Sequence, residues 1–234
     1  MRIAVISDLH LGDLGASERF GHSDGTFLGF LARLEDAFER VVLLGDIWET
    51  ATPMRFGRAA EALRASREAH PALAERFAGP RYTWIHGNHD LVAAKLERVP
   101  GALRLRADGV RLLFTHGHWF DDFWLRRRAL HERASWLVGW LLRLGLRTAV
   151  RRLDTLDNAL GGIEDAGACP FREAAARAAR AQAVDVVVTG HTHVGGCHLV
   201  GDRLVLDSGS CSWGRTSFLE IDTGKGVYRL HDRL

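Results

Sequence analysis

Five times along the chain a short apolar run ends in a carboxylate or an imidazole, and no other feature narrows its folding options as much. Val41-Val-Leu-Leu44 leads into Gly45-Asp46-Ile-Trp-Glu49, and Ile3-Ala-Val-Ile6 runs through Ser7 into Asp8-Leu-His10. Tyr82-Thr-Trp-Ile85 leads into His86-Gly-Asn88-His89-Asp90, Leu112-Leu-Phe-Thr115 into His116-Gly-His118, and Val186-Val-Val-Thr189 into Gly190-His191-Thr-His193. Apolar, often β-branched runs bounded by Gly and polar clusters read as strands buried on both faces. Open α/β sheets gather their chemistry beyond the carboxyl ends of such strands. The five ends therefore imply one convergent site with Asp46 as its pivot. A packing or surface role would explain any one of these residues taken alone, but not their coincidence.

Between the runs the pattern changes to that of helices. Phe27, Leu28, Phe30, Leu31, Leu34 and Phe38 suit a helix laid on a sheet, and Arg55 to Ala69 is a second helical segment, so the chain begins as βαβα. A short helix follows over Leu91 to Leu96, and Leu103 to Arg106 pairs with Val110 to Thr115 through an Asp108-Gly109 turn. The alternation then stops, because residues 120 to 160 read as helical, an insertion or lid between two site-bearing strands. Phe171 to Ala183 is a helix rich in Ala and Arg, followed by a strand over Val184 to Val188. Cys197 to Val200, Arg203 to Leu206, Ser217 to Ile221 and Val227 to Leu230 read as antiparallel strands closing a second sheet. With 47% hydrophobic content in 234 residues the chain can bury a full core. We expect an α/β fold, a single domain over 1–234 with the 120–160 excursion inside it.

A net charge of only +2 gives no general case for nucleic acid, and little chain remains after His193 to build a capping domain, so nucleic acid is not an expected partner. Cys169, Cys197 and Cys211 are odd in number and lack CxxC spacing, which predicts reduced thiols. The N-terminus enters a strand at once, with no apolar leader, and no apolar run reaches the roughly 18 residues of a membrane span. The expected location is cytoplasmic.

Asp, His and Asn without Cys suit hard or borderline divalent ions such as Mn²⁺, Fe²⁺, Zn²⁺ or Mg²⁺. Asp46 has two oxygens and can bridge a pair of them. Two such ions about 3.5–4 Å apart activate a water and clamp a phosphoryl group for in-line displacement, which is phosphoester hydrolysis.

In their order, Asp8-Leu-His10, Gly45-Asp46, Gly87-Asn88-His89-Asp90, His116 and Gly190-His191-Thr-His193 resemble the motif set of the calcineurin-like metallophosphoesterases, over about residues 3 to 193. The resemblance implies a four-layer αββα sandwich of two mixed sheets. It places Asp8, His10 and His193 on one divalent ion and Asn88, His116 and His191 on the other, with Asp46 bridging and Mn²⁺ the first choice of metal. The implied nucleophile is metal-bound hydroxide. His89 would bind the phosphoryl oxygen or protonate the leaving alkoxide, oriented by a hydrogen bond that it donates to Asp90. His118 stands where relatives often have Asp, and so either contacts substrate or faces solvent. Ser7, Asp13 and Glu49 lie close to ligands in sequence, but spacing alone assigns them no role.

Charge hidden by the small net value is concentrated in the insertion: Arg126, Arg127, Arg128, Arg133, Arg143, Arg147, Arg151 and Arg152 against Asp121, Asp122 and Glu132. At helical spacing Leu130, Ala134, Leu137, Leu141 and Leu144 form one stripe, and Arg133, Trp136, Trp140, Arg143 and Arg147 an adjoining one. Such a helix suits a membrane interface or a lid over an amphipathic anionic ligand, with Arg133, Trp136 and Trp140 as candidate substrate contacts. The competing expectation is a plain helical hairpin, its Leu face packed on the sheet and its arginines solvated.

Gly45-Asp46-Ile-Trp-Glu49 and the placement of the insertion are similar to the UDP-2,3-diacylglucosamine pyrophosphatases. That similarity implies a nucleotide-lipid pyrophosphate substrate and peripheral contact with the inner membrane face. Two alternatives are a phosphodiesterase or phosphomonoesterase for soluble nucleotide, nucleic acid or phosphoprotein, and a non-catalytic scaffold of the same fold.

Overall fold

Every residue of β1 (Arg2–Ile6) after Arg2 is buried, which demands cover on both faces. Ala4 and Ile6 cluster with Phe27, Phe30, Leu31 and Leu34 of α1 (Asp24–Ala37), while Ile3 and Val5 cluster with Leu112, Phe114, Val186 and Val188 of a second sheet. The computed structural model describes residues 1–121, 125–160 and 169–232, with backbone alone at 154–160. Positions 122–124 of the expected helical span, Asp122 among them, lie outside the described residues.

The first sheet has the order β10-β9-β1-β2-β3, where β2 is Arg40–Leu44, β3 Tyr82–Ile85, β9 Ser217–Asp222 and β10 Val227–Asp232. β1, β2 and β3 are parallel, and β9 joins β1 antiparallel, with Ile3 opposite Ile221. The second sheet has the order β4-β5-β6-β8-β7, where β4 is Ala102–Ala107, β5 Val110–Thr115, β6 Val186–Thr189, β7 Gly196–Val200 and β8 Arg203–Asp207. The Asp108-Gly109 turn closes the β4–β5 hairpin as its residue types predict, with φ of 50° and 84°.

Helices cover the two outer faces. α1 and α3 (Pro71–Phe77) pack on the first sheet beside α2 (Ala59–Ala69) and α4 (Val92–Leu96). The outer face of the second sheet takes the helix Pro170–Ala181 through Ala175, Ala176 and Ala179. This is the αββα arrangement of two mixed sheets. α3 was not legible in the sequence: seven residues opened by Pro71 carry too little periodicity, and its Leu73 finds a core only in three dimensions.

Two expectations need correction. The four C-terminal strands do not close one antiparallel sheet. The β7–β8 hairpin joins the second sheet with β8 parallel to β6, and the β9–β10 hairpin returns to β1 of the first. Nor does the Leu stripe of the insertion pack on the sheet. The insertion forms α5 (Arg128–Arg143) and α6 (Arg147–Leu160), followed in sequence by α7, the helix Pro170–Ala181 already described. α5 turns Ser135, Gly139 and Leu142 inward, and leaves Leu130, Leu137 and Leu144 at 51%, 55% and 70% exposure.

Close approach of backbone explains that choice of face. A Cβ on Gly139 would lie 2.7 Å from Thr52 Cβ, and Arg143 Nη2 donates to Thr52 O at 2.6 Å. The small residues let α5 settle on the loop that follows Asp46. Some insertion arginines are anchors rather than solvated groups: Arg147 donates to Glu18 O at 2.6 Å, and Arg147 and Arg151 stand over the Trp213 ring at 5.2 and 5.6 Å. Among the described residues no helix is long and apolar enough to cross a membrane.

Candidate metal centre

Beyond the last paired residues of β1 and β2 the two chains stay joined, with Asp8 N–H donating to Gly45 O at 3.1 Å, His10 N–H to Asp46 O and Leu11 N–H to Ile47 O, both at 3.0 Å. These loops hold side chains in a backbone conformation that L-residues avoid. Asp8, His10, Asp46, His191 and His193 have φ of 54°, 51°, 52°, 73° and 59°. Each left-handed residue costs about 1–3 kcal/mol, and all five project from strand ends into one cluster. Glycines make the approach possible: a Cβ on Gly45 would lie 2.5 Å from His116 Cγ, and one on Gly87 would collide with Asp46 Oδ1.

The first group of donor atoms comprises Asp8, His10 and His193. Asp8 Oδ1 lies 3.1 Å from His193 Nε2, which lies 3.3 Å from His10 Nε2. Asp8 Oδ2 is already committed to Ser7 Oγ–H and to His191 N–H at 3.2 Å, leaving Oδ1 as the inward oxygen. The second group lies around His116, whose Nε2 is 3.3 Å from Asp46 Oδ2, and around Asn88, whose Oδ1 is 3.1 Å from His191 Nδ1. The rings of His116 and His191 are 5.3 Å apart. Asp46 Oδ2 also lies 4.0 Å from His10 Nε2 and so stands between the groups.

Orphaned atoms test whether cations fit here. Asp8 Oδ1 and His116 Nε2 are buried without a hydrogen-bond partner, an arrangement native interiors rarely tolerate unless a ligand completes it. Burial opposes charge on both groups. Even so, His193 and His116 hold Asp8 down to about 2, and Asp46 and Asp8 push His116 up to about 10. His116 Nδ1 donates to Leu44 O at 2.8 Å, which aims Nε2 at the carboxylates. A divalent cation would meet the same carboxylates and compete with the Nε2 proton. The donors are oxygen and imidazole nitrogen, which suits hard or borderline metals.

Glu49 was singled out in sequence only for its closeness to a ligand, and Arg19 is the residue that sequence reasoning missed. His89 Nδ1 lies 2.9 and 3.0 Å from the two Glu49 oxygens, and His10 Nδ1–H donates to Glu49 Oε2 at 3.1 Å. Arg19 Nη2 donates to the same oxygen at 2.6 Å and is 3.0 Å from His10 Nδ1. This guanidinium fills the space that His10, Glu49 and His89 would otherwise offer a third cation. Glu49 is held well below the usual carboxylate range, since burial is outweighed by His89 and Arg19. Its signal in sequence is an acid three residues beyond Asp46. Arg19 has none, being brought in by the loop between β1 and α1.

Asp90 does not orient His89. Its Oδ1 accepts from Gly87 N–H at 2.5 Å and its Oδ2 from Ile47 N–H at 2.9 Å, so it clamps the loops that carry Asn88 and Asp46. Burial, then the charge of Asp46, pushes it up to about 6. His118 does not face solvent: it is fully buried, 5.6 Å from His116 and 6.0 Å from His86. Asp13 is exposed and, among the described residues, bonds only to Gly15 N–H in its own turn. Asp207, unremarked in sequence, accepts from Thr189 Oγ1 and Thr192 Oγ1 at 3.1 and 3.0 Å and braces the loop of His191 and His193.

Of the three insertion residues, Trp136 meets Phe56 and Trp140 with ring separations of 6.0 and 6.3 Å, Trp140 lies under the Arg143 guanidinium at 5.7 Å, and Arg133 is exposed.

The family model for calcineurin-like phosphoesterases matches residues 1–195. No curated protein matches the chain. Among solved structures the chain is similar to the Vps29 of Chaetomium thermophilum, with a TM-score of 0.51 at 13% identity, covering 99% of this chain and 96% of that one. It is also similar to Yfce, a phosphoesterase from E. coli, with a TM-score of 0.47 at 17% identity, covering 99% and 98%. At such identities the likeness speaks for the fold alone.

Proposed function

The chain belongs to the calcineurin-like phosphoesterase family, a metal-dependent phosphoester hydrolase, and from that premise we propose that its substrate is a nucleotide-lipid pyrophosphate such as UDP-2,3-diacylglucosamine. The observation that carries the proposal is the outward Leu stripe of α5. Leu130, Leu137 and Leu144 are at least half exposed on an element that also bears Arg133, and Trp140, Met54 and Phe56 are exposed as well, Phe56 against Trp136. Several exposed large apolar side chains on an arginine-bearing element suit a surface that meets a partner. Acyl chains on an anionic headgroup match both halves of it, and the same surface suits peripheral contact with an anionic membrane.

At the centre, Asp8, His10 and His193 would hold one divalent cation and Asn88, His116 and His191 a second, with Asp46 between them and Mn²⁺ the first candidate. Bound there, the pair would supply an activated water and positive charge against the phosphoryl oxygens. The chain's own groups do the rest. Glu49 raises the pKa of His89 against the opposing effect of burial. Glu49 also fixes His89 Nδ1, so that Nε2–H is available to the phosphoryl or leaving oxygen. Asp90 and Asp207 keep the loops in place. The orphaned donor atoms support a metal-loaded centre.

Hydrolysis of UDP-2,3-diacylglucosamine by Mn²⁺-loaded protein, beside a soluble chromogenic phosphodiester and with products identified by mass, tests the assignment. Release of UMP and acylated sugar phosphate in strong preference to the soluble ester is expected. Activity on the soluble ester alone would remove the lipid substrate and leave the centre intact. Trp136→Ala with Trp140→Ala should lower activity on the lipid about ten-fold or more, and on the small ester much less. Equal losses would make the helix merely structural.

A further inference from the structure

The inward face of α5 carries a histidine that none of the roles above uses. His131 lies on the first turn of the helix, its backbone N–H donating to Arg127 O at 2.9 Å. Asp121, which precedes the helix, has its Oδ2 3.2 Å from His191 Nε2, and the His131 ring is close enough to His89, His191, Asp121 and Asp46 for their charges to act on it, which sets it beside the candidate centre. Its Nε2 is buried and has no hydrogen-bond partner among the described residues. Solvent was within reach, since its neighbours Leu130 and Glu132 are exposed. A buried unsatisfied ring nitrogen costs about 1–3 kcal/mol, so an inward-turned Nε2 without a partner points to a ligand that completes it.

The same helix repeats the pattern. Among the described residues Trp136 Nε1 and Arg143 Nη1 are also buried without a partner, and both atoms can only donate. Burial is the main reason that His131 is pushed down to about 4, with the charges of His89 and His191 next, and the ring is neutral. It therefore has one N–H to give without adding charge beside cations.

We propose that His131 is a phosphate-binding residue, its Nε2–H donating to an oxygen of the substrate's phosphoryl group. The inference rests on the reading of the centre as a phosphoesterase site. It assigns to the insertion a direct contact with the reacting group, in addition to whatever α5 does for the remainder of the substrate.

The test compares the full chain with His131→Ala and His131→Gln, each loaded with Mn²⁺. Metal content, binding of inorganic phosphate by calorimetry, and kcat and KM on a chromogenic phosphodiester are measured for all three. His131→Ala should keep full metal content, bind phosphate about ten-fold more weakly and show a KM raised by a similar factor, with a smaller change in kcat. His131→Gln, whose amide N–H can reach the position of Nε2–H, should recover most of both. Unchanged phosphate affinity and KM in His131→Ala would overturn the proposal, as would loss of metal in that variant or a Gln variant no better than Ala. A parent protein that hydrolyses the ester while His131→Ala is indifferent sinks this inference alone. A parent that neither binds phosphate nor hydrolyses the ester sinks the phosphoesterase reading with it.

Discussion

Asp46 serves both halves of the centre, with one oxygen 3.3 Å from His116 Nε2 and 4.0 Å from His10 Nε2. Asp46→Asn keeps the shape and removes the charge, and should lower metal occupancy together with activity by about 100-fold or more. Full activity in that variant would rule the site out. His89 differs because it touches no proposed cation: His89→Ala should cost about 10²–10⁴ in turnover with metal content retained. Glu49 is bound to both histidines and to Arg19. Glu49→Gln leaves the buried guanidinium without its counter-charge, at a cost of about 3 kcal/mol. Urea unfolding should show that loss, and turnover should fall with it. An unaffected midpoint would mean that Arg19 finds another partner.

At the scale of the element, the centre depends on loops that leave their strands in a left-handed turn. Gly45 combines a φ of 88° with a His116 ring that leaves no room for a Cβ. Gly45→Ala should therefore cost about 2 kcal/mol or more and displace His116. Gly57 is the control, with a φ of 81° but nothing within 4 Å of where a Cβ would stand. Gly57→Ala should cost only about 1 kcal/mol and leave metal content unchanged. Equal destabilisation by the two would show that the clash at His116 is relieved elsewhere. α5 shows the same dependence on small residues, since Gly139 decides which of its faces is buried.

Over the whole molecule, two sheets from distant parts of the sequence meet at a cluster of buried carboxylates and imidazoles whose atoms are not all satisfied by one another. Cations that bind this folded cluster and not the open chain must stabilise the fold. Mn²⁺ at about 100 times its dissociation constant contributes about 2.7 kcal/mol, or a rise in Tm of about 5–10 °C for a chain of this size. Scanning calorimetry with and without chelator measures it, and Asp46→Asn should lose most of the rise. A Tm indifferent to metal would contradict the centre. The small net charge of +2 conceals an arginine-bearing insertion, and only part of that charge is free for a ligand, because Arg143 and Arg147 are engaged in holding α5 and α6 to the body.

What the sequence determined by itself is local in origin. Apolar runs of strand length, an Asp-Gly turn and the residue types at five strand ends were enough for the alternating β and α elements and for a convergent cluster around Asp46, while the two mixed sheets were implied by the resemblance to the family. The elements and the cluster follow from periodicity and side-chain chemistry within a few residues. Tertiary structure decided what depends on competition between distant surfaces. It sent the last hairpin to the free edge of β1 rather than to the second sheet, and it turned the Gly139 face of α5 inward although the Leu stripe is the more apolar, because only small residues fit against Thr52. It brought Arg19 to Glu49, gave His89 a carboxylate other than the adjacent Asp90, and buried His118. None of these contacts has a signature in sequence spacing, since each is fixed by which backbone can approach which.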